Sequence, residues 1–169
     1  MSAAAYAWDG AALRPLPAFA AIAERFAVGE VVWLEPAAAR SQPNHRHYFA
    51  CVREAWINLP ERLALQFPTE EHLRKYALIK ARFCDQRSIV CASNTEAQRI
   101  AAFVGPLDDY AIVSVEDRLV TVITAKSQSA GEMSKARFQA SKDAVLGVLA
   151  EMIGADPTAL AEAGKRSAA

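Results

Sequence analysis

Apolar side chains recur along this chain at two spacings, helical and alternating, and the switches between them mark out its elements. The longest mixed stripe is His45, Phe49, Val52 and Trp56, at i, i+4, i+7 and i+11, widened by Tyr48, Cys51 and Ala55. Pro43 suits a helix edge and Asn44 can accept from a free backbone N–H, so the helix is predicted to start within a residue of Asn44. Leu59-Pro60-Glu61 ends it, giving a helix over 44–58 whose aromatic face, Phe49 included, enters a core. A short turn or helix should fill Glu61 to Phe67. Thr69, followed by Glu70 and Glu71, then predicts a helix over 69–83 with Lys80 and Arg82 at its negative end. Ser93 and Glu96 offer a capping box for 95–104, closed by Gly105-Pro106. Ser134 caps the longest helix, 135–153, with Phe138, Val145, Leu146, Leu149, Met152 and Ile153 on its apolar face and Gly154 as its stop.

The remaining runs read as strands. Tyr6 to Pro15 predicts a hairpin turning at Asp9-Gly10, and Pro17 to Phe26 a short helix stopped by Gly29. Glu30 to Glu35 and Ser88 to Ala92 read as strands, and Tyr110 to Val115 with Leu119 to Thr124 as a hairpin around Glu116-Asp117-Arg118. The predicted fold is α+β: a small, mainly antiparallel sheet of about five strands covered by three or four helices. One domain is expected over residues 1–155, with the hairpin and short helix of 1–29 as an appendage. Asp156-Pro157 starts a last short helix, and Gly164 onward is expected to be a mobile tail within 156–169.

Composition changes this picture little. A chain of 169 residues, 53% hydrophobic and 22% charged, suits one domain with a sizeable core. Its apolar runs fall short of the ~18 residues that span a bilayer. The opening residues lack a basic segment leading into an apolar stretch, so a cytoplasmic protein with no membrane partner is expected. Cys51, Cys84 and Cys91 have no Cys-x-x-Cys spacing and lie among apolar neighbours, which reads as buried thiols in a reducing compartment. Charge matters more. Formal net charge is +0, yet Arg40 to Arg87 holds nine Lys/Arg against five Asp/Glu, together with all three histidines. A weak, salt-sensitive phosphate interaction fits this local excess better than tight nonspecific binding.

The excess concentrates on the first helix. Arg46 and Arg53, seven apart, share a stripe beside the aromatic one, with Arg40 and His47 near the helix start. Unpaired N–H groups at that start also favour phosphate. The same residues read equally as a solvated basic face beside an ordinary core stripe. His45 and His47, two apart, point about 200° away from each other on a helix and so share a metal ion only if the start is not helical. Cys51, Cys84 or Cys91 could be paired with His72 as nucleophile and base, but thiols flanked by Ala, Val and Phe belong to a core. There is no Gly-rich phosphate loop, nucleophile elbow or paired-carboxylate signature, so neither an enzyme, a metal nor a cofactor is expected.

Arg40-Ser41, Asn44-His45-Arg46 and Phe49-Ala50-Cys51 together resemble the phage NinB (Orf) recombination proteins, in which a strand and an Arg-Ser precede Gln-Asn-Arg and a Trp-Ala helix. The helix start is also similar to an uncharacterised phage family with a His-Arg-aromatic-aromatic-Ala helix. Asn44-His45-Arg46 keeps the arginine of the NinB pattern and lacks its glutamine. Later, Met133-Ser134-Lys135-Ala136-Arg137-Phe138 fills the place of the turn and Met-x-x-x-x-Phe helix that close NinB-like proteins. The resemblance implies a phage-type recombination accessory protein in the bacterial host cytoplasm. It would bind single-stranded or branched DNA, with single-strand-binding protein as a further partner, and form a homodimer. Arg40, Arg46 and Arg53 would neutralise phosphates, with His45 and His47 stacking or hydrogen bonding. Asn44 stands beside them, and Lys80, Arg82 and Lys126 form a further candidate surface. The alternatives are a protein-interaction or inhibitor module that touches no DNA and, third, a metal-dependent nuclease.

Overall fold

A computed structural model describes residues 6–23, 25–32, 42–129 and 132–167. The fold is α+β, and the chain forms two compact units, residues 1–38 and 39–169. In the first unit, β1 (Tyr6–Trp8) and β2 (Leu13–Pro15) pair antiparallel, Tyr6 opposite Pro15. Asp9 makes the turn: its carboxylate accepts from the N–H groups of Ala11 and Ala12 at 2.9 and 2.8 Å and pairs with Arg14. Gly10 takes φ 98°, which side chains resist. A 3₁₀ turn over Pro17–Phe19 runs into α1 (Ala20–Ala23), shorter than the helix expected to Phe26. The strand expected from Glu30 is not formed at residues 30–32, where Val31 is 79% exposed; residues 33–35 lie outside the described residues. The physical reason is a competing turn. Gly29 has φ 90°, the Glu30 N–H donates to Ala27 O at 3.0 Å, and the Glu30 carboxylate accepts from the Ala27 N–H at 2.9 Å.

The second unit holds a helical layer of α2 (Gln42–Ile57), α3 (Glu61–Ala64), α4 (Glu70–Lys80), α6 (Lys135–Ile153) and α7 (Pro157–Ser167). A three-stranded antiparallel sheet, β3 (Cys84–Val90), β5 (Leu119–Ala125) and β4 (Ile112–Glu116) in that spatial order, adjoins it, with α5 (Asn94–Val104) on one sheet face. The five described strands thus divide between two sheets. The main core joins Tyr48, Cys51, Val52 and Ala55 of α2 to Leu73, Ala77 and Leu78 of α4, Phe138, Val145 and Leu149 of α6, and Leu160 of α7. A smaller core of Cys91, Ala97 and Val120 lies under α5. Among the described residues, no single helix is long and apolar enough to cross a membrane. Cys51 and Cys91 are buried and Cys84 half-buried, all as free thiols.

Local signals act as predicted at several ends. Ser93 accepts from the Glu96 N–H while Glu96 reaches back to the Ala92 N–H at 2.7 Å. Ser134 accepts from the Arg137 N–H, and Gly154 closes α6 at φ 66°. Other ends differ. α2 begins at Gln42, two residues before Asn44, because Pro43 is accepted within a first turn that needs no N–H from it. α4 stops at Lys80, not 83. Arg82 turns left-handed at φ 64°, with the Phe83 N–H donating to Leu78 O and the Arg82 N–H to Ile79 O, a Schellman closure without glycine. That early stop releases Cys84 to Arg87 into β3, which starts four residues ahead of the expected Ser88 and pairs over its whole length with β5. The segment expected as a tail from Gly164 is helical through Ser167. Gly164 is buried against α2, where an added Cβ would meet Cys51 Sγ at 2.2 Å, so the glycine serves close helix packing.

Candidate nucleic-acid interface

The outer face of α2 carries the residues in question. Asn44, His45, Arg46 and Arg53 are all exposed, while Arg40 lies outside the described residues. Arg46 and Arg53 line a shallow cleft of about 300 Å³ with Phe49, Ala50, Glu70 and Ser167. Among the described residues, neither arginine makes an ion pair. Phe49, expected in the core, instead keeps 36% of its surface exposed between them. It sits midway along α2 at the lateral margin of the apolar stripe, where the buried residues are Tyr48, Cys51, Val52 and Ala55. The His45 ring packs on it with centroids 4.8 Å apart and also stacks at 6.1 Å on Phe138.

Beneath Phe49 is a feature that sequence reasoning missed. The Arg74 guanidinium lies 5.5 Å from the Phe49 ring centroid and is buried with Gln128 and Ser141. Its Nε–H and Nη2–H groups donate side by side to the Glu71 carboxylate at 2.7 and 2.6 Å, and Nη1–H donates to Gln128 Oε1. Tyr48 Oη–H donates to the same Gln128 oxygen at 3.1 Å. Gln128 Nε2–H donates to Ser141 Oγ at 2.7 Å, and Ser141 Oγ–H to Phe138 O at 2.8 Å. Burial pushes the Tyr48 phenol up, against the opposing charge of Arg74. Partial burial opposes ionisation of Glu71, but the hydrogen bonds and charge of Arg74 outweigh it and hold the carboxyl below its ordinary range. Arg74 is likewise held charged, burial being outweighed by Glu71. The network fixes the floor on which Phe49 rests.

His47 points away from this cleft. Its Nε2 lies 2.8 Å from Ala161 O on α7 and 3.4 Å from Cys51 Sγ. That nitrogen is engaged as a donor to the carbonyl, and burial pushes the Cys51 thiol up against the charge of Lys142, so this Cys–His contact is packing and not an activated nucleophile. His72 meets none of the cysteines in the hydrogen bonds described; its Nδ1 lies 2.7 Å from Thr69 Oγ1 and its ring packs on Tyr110. Compared with family models, curated proteins and solved structures, the chain matches none. Among the described residues no group of three His, Cys, Asp or Glu side chains is placed to hold a metal ion.

The remaining candidate cations are scattered. Lys126 pairs with Asp85 and borders a different cleft, with Glu132 and Arg137. Lys80 lies 5.3 Å over the Tyr76 ring, and Arg82 is the left-handed residue that closes α4. The cleft instead gains a neighbour from the supposed tail: Ser167 lines it, and Lys165 and Arg166, both exposed, occupy the same last turn of α7. Only their run of basic letters marked them in the sequence.

Proposed function

We propose that the α2 cleft binds single-stranded or branched DNA, in the recombination accessory role that the resemblance to NinB-type proteins implies. The observation that carries this reading is a half-exposed aromatic ring flanked by two arginines with no ion pair among the described residues. A base stacks on an aromatic face whatever its identity, and flanking cations neutralise the phosphates on either side. Arg46 and Arg53 take phosphates, Phe49 with His45 takes a base, and Lys165 and Arg166 extend the basic rim. Arg40 and Asn44 belong to the proposed path as neighbours of the helix start, whereas His47 is committed to α7. Lys80, Arg82 and Lys126 are secondary at most.

A protein-interaction module is the second reading, favoured by Glu70 on the cleft wall and by a formal net charge of +0. Fluorescence anisotropy with labelled single-stranded, duplex and branched DNA, each over a salt series, separates the two. The DNA reading expects salt-sensitive binding with single strands or branches preferred over plain duplex. No binding to any of them at low salt overturns it in favour of the interaction module.

A further inference from the structure

We propose that two copies of this chain join through the outer edge of β3, making one continuous six-stranded antiparallel sheet about a twofold axis at Gln86. β3 pairs only with β5 among the described residues, and every residue from Asp85 to Val90 is exposed, so no described element covers its other edge. Ile89 is 42% and Val90 81% exposed. The strand carries no proline and no bulge, since its seven residues pair with β5 in unbroken register. Such an edge is a template for another strand unless its side chains forbid the pairing.

Backbone phase restricts the pairing. The Cys91 N–H donates to Arg118 O, and Phe83 O accepts from the Lys126 N–H. Both bonds lie on the register that sets Cys84 opposite Ala125, so odd-numbered residues of β3 direct their N–H and C=O groups to β5. Those of Cys84, Gln86, Ser88 and Val90 face outward. A symmetric antiparallel partner must then set even residues against even and odd against odd.

Charge selects among the registers that remain. With Gln86 on the axis, Gln86 faces its own copy and Cys84 faces Ser88, while Asp85 faces Arg87 twice over, at the close, non-hydrogen-bonded positions. Ile89 then falls opposite Phe83. With Arg87 on the axis, two arginines face each other; with Asp85 there, two carboxylates do; with Ser88 there, Arg87 faces Ile89. Arg87 makes no ion pair among the described residues, while Asp85, 58% exposed at its side chain, holds Lys126 and has room for a second cation. Opposite charges two residues apart would guard this edge against most strands. Against its own copy about Gln86 they attract. The surface is separate from the α2 cleft residues, so its failure leaves the DNA reading standing, and the reverse.

The test uses the full chain and light scattering in the tens of micromolar range. The wild type should have the mass of two chains, and Arg87→Asp and Asp85→Arg should each run as folded monomers that unfold cooperatively, with a melting temperature that no longer rises with protein concentration as the wild type's does. Mixed together, these two variants should recover a dimer of one copy each by native mass spectrometry, because each then supplies the charges the other lacks. Gln86→Pro, which removes an outward N–H not used inside the chain, should also be monomeric and folded. A monomeric wild type overturns the proposal. So does a dimer that persists in Arg87→Asp, or a mixture of the two charge variants that fails to pair.

Discussion

Tyr48 and Phe49 are consecutive on α2, yet Tyr48 is completely buried with its hydroxyl on Gln128, while Phe49 lies half-open between two arginines. On the inner side every polar group is spent on another: Arg74 on Glu71 and Gln128, Gln128 on Ser141, Ser141 on Phe138. On the outer side Arg46 and Arg53 have no such partners among the described residues. The inner cations are spent on the fold, whereas the outer ones are left without an ion pair among the described residues. Arg74, the most buried arginine described, belongs wholly to the first kind, and Arg46 and Arg53 to the second.

The largest effect should come from the inner side. Arg74→Leu strips a buried charged hydrogen-bond set and leaves Glu71 without its partner, which should cost about 2–4 kcal/mol in urea unfolding. Gly164→Ala should follow at about 1–3 kcal/mol, since the new methyl meets Cys51 at both its sulfur and its backbone nitrogen and α7 must move. Thiol labelling reports this directly: Cys51, fully buried in the wild type, should react faster in the variant. Tyr48→Phe should cost about 1 kcal/mol, because Gln128 keeps its bond from Arg74.

Much of the fold was legible because its signals are local. The capping residues Ser93, Thr69 and Ser134 and the stop at Gly154 act within one turn, and a sequence shows one turn whole. The inner network is the opposite case. Gln128 lies 80 residues from Tyr48 and 54 from Arg74, and an arginine close in sequence to two glutamates and a lysine looks like an ordinary solvated helix face. β3 was placed late because Cys-Asp-Gln-Arg has no strand-like alternation; its pairing with β5 supplies what the local sequence does not. Of the site, Arg46 and Arg53 could be placed together by helical spacing alone. That Phe49 stays at the surface, and that α7 brings Ser167 to the same cleft, depends on where the core ends, and no periodicity states that.

Acidity gives a smaller test of the inner side. The folded Glu71 carboxyl lies below its ordinary 4.5, so it contributes stability that is complete above that pH and lost as pH falls through the lower folded value. The acid limb of the stability curve should therefore be shallower in Glu71→Gln than in the wild type, by unfolding in urea between neutral pH and pH 3. An identical slope would mean that Arg74 holds Glu71 less firmly than the bonds imply.

The outer side should scarcely register in stability at all. Arg46→Ala with Arg53→Ala should leave the unfolding free energy within about 0.5 kcal/mol of the wild type. Single-strand affinity should fall, and the slope of log K against log salt should become shallower by roughly 0.7 for each phosphate that is no longer neutralised. Phe49→Ala should weaken binding without that change of slope, since it removes a stacking surface and no charge. The deciding measurement is the salt series of the double-arginine variant beside the wild type on one labelled single strand. A weaker and shallower line in a fully folded variant is the expected result; equal affinity and equal slope would contradict the assignment of Arg46 and Arg53 to phosphate.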